Sequence, residues 1–335
     1  MSIRAFCTKF IRTTAGTGAK SEPPRLDRIV FAHEYHHIGG LGVSRHIKEQ
    51  EQGERHEGSL ATFLMTTLLL PFILRSPSDR DIRIINLVNP LYSAALPTYI
   101  PTTKETDNTP PTSSSISRLE GHRSLRSILL ARHLQRVLDA LASSGVVPKP
   151  DGNGQAVLPK KSSHIVSIAV SPGFSRTATF EPLLRPRNTG KYTSILGSLL
   201  CDIIYSACYV KVLILRFSRY FMIFPILLLL AKSASAASQT ALYVLYLPSL
   251  HKTVEKGDQA VEGGRLYRDC ALVSLPGKGD MVLGDEGIGR AVWEEFERGV
   301  EKWEKEWKEQ HEENKATPEA HSSFDTGGKG KAKAS

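Results

Sequence analysis

The chain has 335 residues, enough for two domains or for one α/β domain with tails. Hydrophobic residues make up 41% and charged residues 23%, close to the globular average, which excludes a fibrous or fully disordered chain. The formal net charge is +9, but residues 291–335 carry 8 basic and 11 acidic side chains, so the positive excess lies upstream, where it suits an anionic cofactor, a membrane surface or nucleic acid.

The N-terminal residues 1–25 are rich in basic side chains and contain a single acid, Glu22. This composition predicts a flexible basic tail, and a mitochondrial presequence is the alternative. In either case we expect the folded core to begin at residue 26.

Residues 26–191 carry the pattern of an α/β core. Residues 28–32 form a short apolar run of strand length, residues 59–74 contain no charge and predict a buried helix, and residues 81–88 form a β-branched run typical of a central strand. Strand, helix and strand in succession indicate a βαβ unit.

The same alternation continues along the chain. Residues 119–141 carry leucine and isoleucine at helical spacing, and residues 164–170 form a second buried strand. Parallel strands joined by helices predict a Rossmann-like, doubly wound parallel sheet.

Residues 192–250 are unusually apolar, but charged side chains interrupt them. The longest uncharged run, from Tyr220 to Ala231, has 12 residues, fewer than the ~20 that a spanning helix needs. We expect an apolar helical insertion that lies on a membrane without crossing it. The alternative is a pair of core helices over a lipid-sized pocket.

The C-terminal extension, residues 251–314, ends in a predicted amphipathic helix. From Gly287 to Asn314, tryptophans and other apolar residues recur at three- and four-residue spacing among glutamates and lysines. Residues 315–335 have little to bury, and we expect them to be disordered.

The sequence from His33 to His37 satisfies the HExxH pattern, in which two histidines on one helical turn bind zinc and Glu34 acts as a general base. Glycines at 39, 40 and 42 would end such a helix, and a strand precedes it. We therefore favour a polar loop after a strand, and expect no metal. The four cysteines contain no CxxC and predict neither a disulfide scaffold nor a cysteine zinc site.

A Pro-Gly turn follows the strand that ends near Ser171. Pro172 and Gly173 would let the backbone approach a ligand at the carboxyl edge of a parallel sheet, where α/β folds bind cofactors. Thr177 would donate to a phosphate or a carboxamide of such a cofactor.

In order and spacing, these segments resemble the short-chain dehydrogenase/reductases, and within them the fungal 3-ketosteroid reductases of ergosterol synthesis, from about Leu26 to Glu309. The matching segments are the strand before the family's Asn-Ala-Gly (26–31), its central helix (63–71), the strand of its catalytic serine (83–89), its Tyr-x-x-x-Lys helix (119–123), its Pro-Gly loop (170–173), its membrane-facing segment (192–247) and its C-terminal extension (266–267 and 293–307).

This resemblance implies NADPH-dependent reduction of a sterol C3 ketone. Tyrosine would give the proton, lysine would lower the tyrosine pKa and hold the ribose, and serine would polarise the carbonyl. In this chain Asn89 stands at the serine position, Leu119 at the tyrosine position and Arg123 at the lysine position. Leucine cannot donate a proton, and the nearby hydroxyls are those of Tyr92 and Ser93.

The family's Asn-Ala-Gly position is occupied by residues 32–34, and its glycine-rich turn and first βαβ unit would precede Leu26, where only 25 residues are present. The chain is then either truncated or diverged, and we expect it to bind NADP weakly or not at all.

The sequence thus predicts a protein like a 3-ketosteroid reductase whose catalysis is impaired or lost. The alternative is a non-catalytic, membrane-associated scaffold that binds lipid or partner enzymes. The expected partners are membrane lipid or sterol and sterol-pathway enzymes, with no nucleic acid. The expected location is the endoplasmic reticulum membrane or a lipid droplet, with the mitochondrion as the alternative.

Overall fold

A computed structural model describes residues 2–16, 25–35, 45–99, 116–144, 149–150, 156–157, 163–175, 231–249, 260–275 and 282–316. Its strands are β1 (Arg28–Phe31), β2 (Ile82–Leu87), β3 (Lys149–Pro150), β4 (Ala156–Val157), β5 (Ile165–Ser171), β6 (Leu266–Arg268) and β7 (Ala271–Leu272). Its helices are α1 (Ile3–Gly16), α2 (Arg45–Leu74), α3 (Tyr92–Ala95), α4 (Ile116–Ser144), α5 (Ala234–Tyr246) and α6 (Glu286–Ala316).

Five strands form one sheet in the order β1-β2-β5-β6-β7, and all but the last neighbouring pair are parallel. All seven residues of β5 are buried, as expected for a strand covered on both faces. The predicted α/β class and parallel sheet are confirmed. The order follows the chain, so the described strands do not include the reversal that defines a doubly wound sheet.

Helices α2 and α4 cover one face of the sheet. Phe63 and Leu64 of α2 pack with Leu125 and Leu129 of α4 in one core cluster, and all four are buried. The helices predicted at 59–74 and 119–141 are therefore confirmed, and both extend further towards the N-terminus.

Helix α5 covers the opposite face, where Val244 packs with residues of β2 and β5. Its C-terminal end is held by Arg83 of β2, which is 2% exposed and donates hydrogen bonds to the carbonyl oxygens of Val244 and Leu247. This part of the 192–250 segment thus packs on the sheet. Residues 192–230, which carry most of the predicted membrane-facing segment, lie outside the described residues.

Within the described part of the chain, one helical segment, Gly53–Leu74, is long and apolar enough to cross a membrane. It lies in α2, and its buried residues Leu60, Phe63, Leu69 and Ile73 belong to the core. Of this apolar window, 39% is buried inside the structure.

The two terminal helices pack against α2. Phe10 of α1 meets Phe72 edge to face, so the expected basic tail contains an ordered helix. The amphipathic helix predicted near the C-terminus is confirmed as α6. Of its aromatic stripe, Phe296 stacks on Phe63 and Trp293 meets the same ring edge to face. Residues 317–335 lie outside the described residues.

Candidate functional site

The residues that follow each parallel strand meet at one edge of the sheet, which we call the carboxyl-edge site. It contains residues 33–35 after β1, Asn89 after β2, residues 172–175 after β5 and Arg268 at the end of β6. In parallel sheets this edge is where ligands bind, because the loops there converge and expose backbone groups.

The Pro-Gly turn is present at this edge, and the side chain of Lys232 packs against it. Gly173 has φ +83°, a left-handed conformation that favours glycine. A Cβ at this position would lie 3.2 Å from Lys232 Nζ, and Nζ lies 3.5 Å from the Pro172 carbonyl oxygen. Lys232 also pairs with Asp269, and its pKa is lowered, chiefly by burial. Thr177, the third predicted cofactor contact, lies outside the described residues.

Tyr35 ties the loop after β1 to the loop after β5. Its hydroxyl oxygen lies 2.8 Å from the Gly173 carbonyl oxygen and 2.7 Å from Ser175 Oγ. Burial raises the pKa of the Tyr35 phenol, and the hydrogen bond with Ser175 offsets only part of that effect. The phenol therefore stays protonated at neutral pH. The sequence pattern did not indicate Tyr35, because its position just after a strand places it at this edge but does not predict its partner.

His33 and Glu34 form a polar cluster with α2. His33 Nε2 lies 3.0 Å from Glu34 Oε1, His33 Nδ1 lies 3.0 Å from Thr62 Oγ1, and Ser59 donates a hydrogen bond to Glu34. Glu34 is 3% exposed. Burial raises the pKa of its carboxyl group, but the hydrogen bond and charge of His33, the charge of Arg123 and the Ser59 hydrogen bond bring the net pKa below its ordinary value.

The HExxH pattern does not lie on an α-helix here. Residues 33–35 form a single 3-10 turn, which agrees with the favoured polar loop after a strand, and His37 lies outside the described residues. Among the residues that the structure describes, no three histidine, cysteine or acidic side chains come together to hold a metal ion.

Arg123, at the lysine position, lies in a network of charged side chains between α2 and α4. Its Nη1 lies 3.7 Å from the Glu120 carboxylate, and Arg55 lies 2.8 Å from the same carboxylate. Glu120 is 2% exposed, so it holds both guanidinium groups where few water molecules reach. Leu119, at the tyrosine position, lies one helical turn before Arg123 and is partly buried.

Asn89, at the serine position, is buried at the end of β2. Its backbone N–H donates to Ser124 Oγ at 3.1 Å, which places the end of β2 beside α4. Its side-chain Oδ1 accepts a hydrogen bond from the Leu91 backbone at 3.0 Å. The structure thus brings Asn89 next to the helix that carries Leu119 and Arg123. The amide oxygen of Asn89 is hydrogen-bonded within the loop that follows β2.

The two nearby hydroxyls differ in environment. Tyr92 is buried, burial raises the pKa of its phenol, and a hydrogen bond with Arg268 acts in the opposite direction. Ser93 is exposed, and its hydroxyl donates to the Pro90 carbonyl oxygen at 3.3 Å. Of the two, Tyr92 is the phenol and is buried, whereas the Ser93 hydroxyl faces solvent.

Comparison of the chain with protein-family models, with curated proteins and with solved structures finds no match in any of the three.

Proposed function

We propose that the chain is a short-chain dehydrogenase/reductase-like protein of the 3-ketosteroid reductase type that has lost sterol-ketone reduction. The observation that carries this proposal is the bond between Tyr35 and the Gly173 carbonyl oxygen, which closes the edge where the nicotinamide would lie. A Rossmann-like ancestry is supported by the parallel strands and by the Pro-Gly turn after β5.

The residues at the catalytic positions support loss of activity. Leu119 has no proton to give, and Arg123 pairs with the buried carboxylate of Glu120, which also pairs with Arg55. The Asn89 amide oxygen accepts a hydrogen bond from the Leu91 backbone, which fixes the side chain against its own loop. General acid catalysis contributes roughly 10²–10⁴-fold, so loss of the donor alone removes most turnover.

Of the three predicted NADP contacts, Pro172 and Gly173 lie among the described residues, and the surroundings of Gly173 do not favour a bound cofactor. The space that a side chain at Gly173 would need is lined by Lys232, and the Gly173 carbonyl oxygen already accepts from Tyr35.

Calorimetric titration of the full chain with NADPH tests the proposal, with an active reductase of the same family as the positive control. We expect no saturable binding. A dissociation constant below about 10 μM, roughly 7 kcal/mol of binding free energy, would overturn it.

A second assay follows NADPH oxidation with a 3-ketosteroid for the wild type and for Leu119→Tyr combined with Arg123→Lys. Positions 119 and 123 share a helix face, so the pair places a phenol one turn from an ammonium group. We expect little turnover in either protein, because we expect the cofactor to bind weakly or not at all. Turnover by the wild type would show that another group serves as the donor.

The second candidate function is a membrane-associated scaffold for lipid, sterol or sterol-pathway enzymes at the endoplasmic reticulum or a lipid droplet, with the mitochondrion as the alternative site. Two large apolar side chains on the outer face of α5 favour it, since Leu242 is 47% and Tyr246 71% exposed. Flotation with phosphatidylcholine vesicles should show binding that Leu242→Asp weakens several-fold. Wild-type protein that stays with the soluble fraction would exclude this function.

A further inference from the structure

Thr62, His33 and Glu34 form a chain of a hydroxyl, an imidazole and a buried carboxylate. Thr62 Oγ1 lies 3.0 Å from His33 Nδ1, and His33 Nε2 lies 3.0 Å from Glu34 Oε1. A nucleophile within hydrogen-bond reach of a base, which a third group orients, is the geometric signature of an activated hydroxyl. The positions that the family resemblance assigns do not include Thr62.

The hydrogen-bonding capacity of the three groups fixes the direction of proton transfer. A carboxylate only accepts, so the proton of the neutral imidazole lies on Nε2, and Nδ1 is left to accept from the Thr62 hydroxyl. The competing acceptor for that proton, the Gly58 carbonyl oxygen, is more distant from Thr62 Oγ1, at 3.2 Å.

The surrounding residues hold the ring and leave it accessible. The His33 side chain is 29% exposed, whereas that of Glu34 is 4% exposed. A Cβ at position 58 would lie 3.0 Å from His33 Cδ2, so Gly58 leaves the space in which the ring lies. Ser59, on the same face of α2, donates to Glu34 and fixes the carboxylate.

We propose that Thr62, His33 and Glu34 form a hydrolytic site for small activated esters. Thr62 Oγ1 bonds to the acyl carbon as its proton passes to His33 Nδ1, and the ester C–O bond breaks as the alcohol leaves with that proton. Water then attacks the acyl-threonine and gives its proton to His33, which returns it to Thr62 as the acid leaves. One ester and one water become one acid and one alcohol.

The test uses the full chain with p-nitrophenyl acetate and follows both nitrophenolate release and acetylation of Thr62 by peptide mass spectrometry. Thr62→Val keeps the side-chain shape and removes the hydroxyl, and we expect about a 10²-fold loss of rate and no label at position 62. Thr62→Ser keeps the hydroxyl and should retain both the nitrophenolate release and the acetyl label at position 62. Thr67→Val, on the same helix, is the matched control and should behave as wild type.

Two further variants separate chemistry from folding. His33→Ala should lose activity and regain part of it with added imidazole. Glu34→Gln, which keeps an acceptor for His33 and Ser59, should retain more activity than Glu34→Ala, as expected for a positioning residue. A Thr62→Val rate equal to wild type, or acetylation only at other residues, would overturn the proposal.

Discussion

The phenol oxygen of Tyr35 lies 2.8 Å from the carbonyl oxygen of Gly173 and so joins the loops that follow β1 and β5. These two strands do not pair with each other, because β2 lies between them. The bond therefore crosses the end of β2 and closes the part of the carboxyl-edge site between β1 and β5.

Tyr35→Phe should lower the free energy of unfolding by about 1 kcal/mol, since the Gly173 carbonyl oxygen and Ser175 lose a partner. Urea denaturation measures the change. Tyr246→Phe is the control, because that side chain is 71% exposed, and it should leave stability unchanged. Equal stabilities of the two variants would show that the Tyr35 bond contributes nothing.

Local patterns were sufficient to predict the main elements. The uncharged run at 59–74 has the length of a buried helix, and the run at 81–88 is rich in β-branched residues. Both predictions, the helix and the strand, are confirmed. Helix α1 was missed because its basic composition masked an apolar stripe, in which Ile3, Cys7 and Phe10 recur at helical spacing and face the core.

The polar contacts at the carboxyl-edge site could not be predicted in this way. Tyr35 and Gly173 are separated by 138 positions in the sequence. Only the packing of whole strands brings such groups together, and a single tyrosine after a strand carries no periodic signal. The sequence could place both residues at the same sheet edge, but it could not show that they bond to each other.

Arg83→Met should lower the free energy of unfolding by about 3 kcal/mol. The guanidinium group is buried, pairs with Asp81 and donates to the carbonyl oxygens of Val244 and Leu247. Its removal takes a charged donor away from the Asp81 carboxylate and from two carbonyl oxygens. Hydrogen exchange of the α5 amides should increase along with the loss seen in urea.

The control for Arg83 is Arg290→Met, whose partner Glu294 lies one turn away on the exposed side of α6. Exposed pairs contribute little, so this change should stay within about 0.5 kcal/mol of wild type. A loss at Arg83 no larger than at Arg290 would contradict the assigned role.

Gly121→Ala should destabilise the fold by about 1–3 kcal/mol through overpacking. A Cβ there would lie 2.4 Å from the Leu91 carbonyl oxygen and 3.0 Å from Ala95 Cβ, where α4 meets the loop after β2. Gly53→Ala on α2 is the matched helical control. No atom lies within 4 Å of its Cβ position, so alanine should stabilise that helix by up to about 1 kcal/mol. Thermal unfolding should therefore show a lower Tm for Gly121→Ala and a higher Tm for Gly53→Ala than for the wild type.

Glu34→Gln should reduce the decrease in unfolding free energy that the wild type shows as the pH falls into the acid range. The pKa of the Glu34 carboxyl group is lower in the folded chain than in the unfolded one, where it is about 4.3, so the ionised group stabilises the fold above that pH. That contribution is lost as pH falls through the folded value, when protonated Glu34 no longer attracts His33 and Arg123.

Urea unfolding at a series of pH values measures this effect as the difference in unfolding free energy between wild type and Glu34→Gln. The difference should be largest at neutral pH and should shrink below about pH 4.3. Glu57→Gln, an exposed position on the same helix, is the control and should show no such trend. If the difference in unfolding free energy stays constant from neutral to acid pH, the destabilisation by Glu34→Gln comes from packing and not from the charge of the carboxylate.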